Sequence, residues 1–190
     1  MRWVIDLGGL ALIVVNVALG LRYGLLRRGV ALAGLYAGIG VASLIGNGVA
    51  NFFNNTHDAN ALYRAAYWFV GIAFLIMFGI ELLGFLYNDK IVRLGSFMFD
   101  RAAGAVVGAI VGYLQIAMVC LVVFAVGSAR LPNARSPLPA NRGSYSEDVQ
   151  ASVIGGRIYS HQDFYLNIFK PVLPSDLPAH LAENADTTKK

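Results

Sequence analysis

The sequence predicts an all-α membrane protein: four transmembrane helices followed by a short extracytoplasmic C-terminal tail with a segment suited to an interfacial helix. Three observations lead there. Hydrophobic residues make up 57% of the chain and charged residues 14%, against roughly 25% charged in an ordinary soluble domain. The apolar residues are gathered into four long blocks instead of being spread at amphipathic spacing. The block over residues 102–127 carries no charge at all, and an apolar run of about 18 or more residues is long enough to cross a bilayer.

Residues 1–127 form the membrane domain, with spans near 4–21, 29–50, 67–87 and 103–127. Each reaches across roughly 30 Å of hydrocarbon at about 1.5 Å per residue. The first span has Arg2 in front, as a secretory signal would, but it carries Asp6 early and lacks a small-x-small cleavage site before Arg22; it reads as a retained helix. The second span is glycine-rich. It could be read as strand or loop, but open sheet edges cannot face lipid and glycine is common in membrane helices, so helix is the reading. Trp3, Tyr23, Tyr67, Trp68 and Tyr87 mark interface positions.

Residues 128–190 differ in composition. All six prolines lie there, while eighteen of the 21 glycines precede it. Residues 130–141 read as an irregular linker. Residues 163–169, Asp-Phe-Tyr-Leu-Asn-Ile-Phe, have helical apolar spacing and suit a short amphipathic helix on the membrane surface or on the bundle. Residues 183–190 are polar and read as disordered.

Arginine and lysine set the orientation. Arg22, Arg27 and Arg28 fall in the first connection, Lys90, Arg93 and Arg101 in the third, and only Arg64 in the second. The positive-inside rule makes the first and third connections cytoplasmic and puts both termini outside; Arg130, Arg135 and Arg142 after the last span run against this. The net charge of +4 sits at the ends of apolar blocks, not along one face, so it reads as orientation in a bilayer and not as a nucleic-acid surface.

Ionisable residues inside a span cost roughly 2.5–3.5 kcal/mol on insertion scales and raise a functional question. Glu81 lies about two turns from the cytoplasmic end of the third span; it reads as an inter-helix ion pair or a snorkelling side chain, or else as a proton or ion site. Asp6 reads as a hydrated or capping carboxylate. Asn16 and Gln115 read as inter-helix hydrogen-bond partners or as ligand contacts. Asp100 can cap the start of the fourth span, and Arg101 can reach lipid phosphate or pair with Glu81, with a cytoplasmic partner as the other reading. Gly104, Gly108 and Gly112 share one helix face, and Gly34 and Gly38 repeat the spacing. Such faces serve packing within one bundle or self-association.

The chain has no HExxH, GxSxG, P-loop or Cys/His cluster; its histidines, His57, His161 and His180, are far apart, and its lone cysteine, Cys120, lies in an apolar run. The sequence therefore predicts no enzyme, no cofactor and no metal site. Trp3-Val4-Ile5-Asp6, Gly24-Leu25-Leu26-Arg27 and Phe99-Asp100-Arg101 followed by Gly104, Gly108 and Gly112 resemble the colicin V production protein (CvpA) family of bacterial inner-membrane proteins. The resemblance covers roughly residues 1–124. It departs at Tyr23 and Val111, where the family usually carries arginine. It implies a four-helix inner-membrane protein linked to toxin production or export and to envelope homeostasis, with no established reaction. Three activities are then expected in order: contact with other membrane proteins, a small ion or solute carrier or channel using Glu81 and Asn16, or an accessory subunit of a larger complex. The partners expected are the lipid bilayer and other membrane proteins or a second copy.

Overall fold

The computed structural model describes residues 2–45, 59–86, 97–128, 142–174 and 177. The described chain is helical, with no strand: α1 (Arg2–Tyr23), α2 (Leu25–Ile45), α3 (Ala59–Leu86), α4 (Phe97–Ser128), α5 (Arg142–Gln150), α6 (Val153–Ser160) and α7 (Gln162–Phe169). The first four are long and apolar enough to cross a membrane, over Trp3–Tyr23, Leu25–Ile45, Leu62–Leu86 and Met98–Gly127.

The helices assemble as two close pairs. In the α1–α4 pair, Gly20 faces the backbone of Gly104, Gly108 faces the Asn16 carbonyl, and Gly112 faces Leu12 and Ile13. A Cβ on Gly104 would stand 2.6 Å from the Gly20 carbonyl oxygen, so the absence of a side chain is what permits this separation. In the α2–α3 pair, Gly38 meets the Ala73 carbonyl and Gly34 meets Ile80 and Met77. Lipid is as apolar as leucine, so the hydrophobic effect does not draw such helices together; close packing and hydrogen bonds do. The pairs meet along α2 and α4. Helix α4 is central: 72% of its most apolar stretch is buried, against 17% for α1 and α3. Trp3, Leu7, Leu10 and Val14 on α1, and Trp68, Leu75, Phe78 and Leu82 on α3, form apolar stripes on the outside of the bundle.

The expected first connection contracts to one residue. Arg27 and Arg28 lie inside α2, and the chain passes from α1 to α2 through Gly24, whose φ of 84° suits glycine. Helix α3 starts two turns before the expected boundary and α4 starts at Phe97. Lys90, Arg93 and Tyr87, the linker 130–141, residues 183–190, His57 and His180 lie outside the described residues.

The tail packs against the bundle. Ser146 of α5 sits over Gly127, Ile154 of α6 reaches Gly9 beside Ile116 of α4, which also faces that glycine, and Tyr159 meets Phe124 edge-on at 5.3 Å between ring centres. The amphipathic segment is α7; it buries Tyr165 and Phe169 while leaving Asp163, Asn167 and Lys170 exposed. Tyr36 of α2 donates to the Ile168 carbonyl at 3.2 Å, and Ser43 donates to the Val172 carbonyl at 2.7 Å. Ile158, Phe169 and Leu177 are fully enclosed with Phe124 and Ile39 in one core.

Candidate functional site: a polar chain across four helices

Arg28 is in the first turn of α2, and the register that turns Ala31, Leu35 and Ile39 inward carries its guanidinium inward too. Its Nη2 donates to Glu81 Oε1 of α3 at 2.8 Å, and its Nη1 donates to Asn16 Oδ1 of α1 at 3.0 Å. Asn16 Nδ2 donates to Gln115 Oε1 of α4 at 3.0 Å and to the Leu12 carbonyl at 2.9 Å. Gln115 Nε2 closes the chain on Met77 Sδ of α3 at 3.1 Å. One arginine thus ties a residue from each of the four spans into a single network. The Arg28 side chain is 3% exposed and that of Glu81 is 22% exposed. The pair keeps a buried charge compensated at a depth where an isolated one would be costly. The Arg28 Nε is buried without a hydrogen-bond partner among the described residues.

At the same end of the bundle, Asp100 reaches across from α4 to α2. Its Oδ1 accepts the Leu25 N–H at 3.1 Å, so it supplies a cap to the start of α2. The sequence predicts a cap for the start of α4, the helix that Asp100 itself belongs to. The carboxylate fits because Gly24 has no side chain: a Cβ there would collide with Asp100. Arg101 is exposed beside it. Arg27 is buried, its guanidinium 4.0 Å from the Tyr23 ring centre and 4.9 Å from that of Phe85, and the exposed Arg22 stands 5.4 Å from the same Tyr23 ring.

Asp6 stands apart from this network. Its carboxylate accepts the N–H groups of Val153 and Ile154 at 3.2 and 3.0 Å, while Ser152 Oγ accepts that of Gly155 at 3.0 Å. The free N–H groups of the first turn of α6 are satisfied by one carboxylate in trans and one hydroxyl in cis. Further along, Tyr165 donates to the Tyr113 hydroxyl at 3.1 Å. Burial pushes the Tyr165 phenol up to about 12, and its hydrogen bond to Tyr113 adds to the rise.

The structure therefore joins Glu81, Asn16 and Gln115, which the sequence singled out separately, and adds Arg28 and Met77. It separates Asp6 and Asp100 from them. Arg28 was legible only as an orientation charge, and Met77 carried no signal. The ring pairs Tyr23–Phe85 and Tyr113–Tyr165 were also unmarked, because nothing along the chain says which helix faces meet. Among the described residues no group of three His, Cys, Asp or Glu side chains is placed to hold a metal.

Four apolar spans with their polar groups joined across the bundle define a multi-pass helical membrane protein. The profile of the Colicin V production protein family matches residues 5–145, and the chain belongs to that family. The match takes in all four spans and the start of α5. No curated protein and no solved structure matches the chain. Family and fold together make it a multi-pass bacterial membrane protein of the kind tied to colicin V production.

Proposed function

We propose that this protein is a non-enzymatic component of the bacterial inner membrane that supports toxin production or export, or envelope homeostasis, by contacting other membrane proteins. The observation that carries the reading is the use of the polar groups in the spans: Arg28, Glu81, Asn16 and Gln115 hold the four helices to one another. The apolar stripes of α1 and α3, with Leu75 69% and Phe78 61% exposed, are left to meet lipid or another helix. Affinity purification of the tagged chain in mild detergent tests this, and a stoichiometric membrane protein in the eluate is the expected outcome. Recovery of the chain alone counts against it.

A second reading, a small ion or solute carrier, draws on the partly exposed Glu81 carboxylate and the unpartnered Arg28 Nε. Solute flux in proteoliposomes that is lost in Glu81→Gln supports that reading over the first. An accessory subunit of a larger complex is distinguished by a fixed multi-subunit mass in the same purification.

Both termini are proposed to lie outside the cytoplasm, since Arg22, Arg27, Arg28 and Arg101 gather at one end of the bundle. A C-terminal alkaline phosphatase fusion should be active and a C-terminal GFP fusion dark; the reverse pattern overturns the orientation.

A further inference from the structure

We propose that the tail helices α5, α6 and α7 form a releasable cover on α4, latched by Asp6 of α1. The inference goes beyond the proposed function and does not depend on which proteins the chain contacts.

The covered surface is a single stripe of α4. Residues three, four or seven apart fall on one side of a helix, and Tyr113, Ile116, Cys120, Phe124 and Gly127 follow that spacing. Four of the five meet the tail. Tyr113 accepts from Tyr165 of α7 at 3.1 Å, Ile116 lies beside Ile154 of α6 at Gly9, Phe124 meets Tyr159 of α6 edge-on, and Gly127 lies under Ser146 of α5. Cys120 is at the centre of the stripe and is 2% exposed. Gly112 lies against Leu12 and Ile13, and Ile116 against Gly9; one turn further along this antiparallel pair, Cys120 is level with Asp6 near the end of α1.

Helix α6 cannot hold this position by itself. It has eight residues, Val-Ile-Gly-Gly-Arg-Ile-Tyr-Ser, against roughly 12–15 for even a marginal isolated helix in water, and its two glycines weaken it further. The corner with α5 demands them: a Cβ on Gly155 would collide with the Val149 carbonyl oxygen, and one on Gly156 would stand 2.7 Å from that of Gln150. The first turn of α6 is satisfied from outside. The Asp6 carboxylate accepts the Val153 and Ile154 N–H groups at 3.2 and 3.0 Å, charge-assisted bonds at the positive end of the helix. The bond to Val153 is open to solvent. Folding of α6 and its docking are therefore one event, and short elements with exposed backbone hydrogen bonds are the first to open. The tail also leaves Val153 76% and Phe164 61% exposed, so docking uses only part of its apolar surface. Loss of the Asp6 contact releases α6 and bares the stripe around Cys120.

The test uses the full chain in mild detergent with two readouts: hydrogen–deuterium exchange of the amides of residues 155–160, and the rate at which N-ethylmaleimide labels Cys120, the single cysteine of the chain. In the wild type α6 should exchange faster than α4, and Cys120 should label slowly compared with the chain unfolded in SDS. Asp6→Ala should raise the exchange of α6 and the labelling of Cys120 about fivefold, the change in opening expected for loss of a helix cap, while exchange over residues 104–112 stays as in the wild type. Asp6→Asn keeps an acceptor without the charge and should raise both by less. Gly8→Ala, on the same helix with nothing within 4 Å, should change neither. Unchanged exchange and labelling in Asp6→Ala overturns the proposal, because the cover is then fixed. Equal acceleration over α6 and over residues 104–112 also overturns it, because Asp6 then supports the bundle as a whole. So does faster exchange of α6 with Cys120 still unlabelled, since the tail then stays in place without its latch.

Discussion

Arg28 and Glu81 illustrate how a membrane bundle accommodates charge. Neither is favourable alone at that depth, and each makes the other tolerable through a 2.8 Å contact. Glu81→Gln leaves the Arg28 guanidinium buried without its counter-charge and should lower stability by about 3 kcal/mol, measured as resistance to unfolding in SDS. Replacing both, Arg28→Met with Glu81→Leu, should recover most of that loss. A double variant as weak as the single one would mean the pair does more than compensate charge. Glu81 was legible in the sequence as an acid among apolar residues. Its partner was not, because Arg28 reads equally well as a loop charge until the helix register turns it inward. Tyr165 offers a second test at this scale. Its phenol is raised from an ordinary 10.0 to about 12, so the neutral form is favoured in the folded state. The stability it contributes is complete below pH 10 and is lost as pH rises through about 12. Tyr165→Phe should abolish that alkaline dependence and lower stability at neutral pH by about 1 kcal/mol; an alkaline profile unchanged from wild type would sink this account of the tail contact.

Among elements, glycine decides which helices pair. Gly20, Gly104 and Gly108 face backbone of the opposite helix, whereas Gly8, Gly71 and Gly79 have nothing within 4 Å of where a Cβ would stand. Gly108→Leu should therefore separate α1 from α4 and cost several kcal/mol, while Gly71→Ala should leave the thermal midpoint within about a degree or two. Equal effects at the two positions, read by thermal unfolding in detergent, would contradict the pairing. The spacing of Gly104, Gly108 and Gly112 was plain in the sequence, but spacing alone serves self-association as well as packing inside one chain. Gly20, the opposing member on α1, has the same spacing to Gly24, and both face Gly104, but that pair was not singled out from the sequence. The four spans were legible because a bilayer demands long uncharged runs; their ends were not, since Arg27 and Arg28 sit within a helix whose partners lie far along the chain. Helices α5 and α6 escaped notice for a related reason. They are short, and α6 is capped from outside by Asp6, 147 residues from Val153.

For the whole molecule, two close helix pairs meet along α2 and α4. The polar chain of Arg28, Asn16 and Gln115 ties the pairs together towards the arginine-rich end. Helix α7 and Val172 just after it bridge α2 and α4, α7 through Tyr36 and Tyr113 and Val172 through Ser43. Under the proposed function the polar interior holds the helices in place, and the exposed faces of α1 and α3 are the surfaces offered to another protein. The most direct measurement is co-purification in mild detergent from the wild type and from the Arg28→Met/Glu81→Leu double variant. The account predicts the same membrane partner at the same stoichiometry in both, because the charge pair braces the bundle without contacting the partner. Loss of the partner from a folded double variant, or no partner from the wild type together with solute flux that requires Glu81, would contradict it.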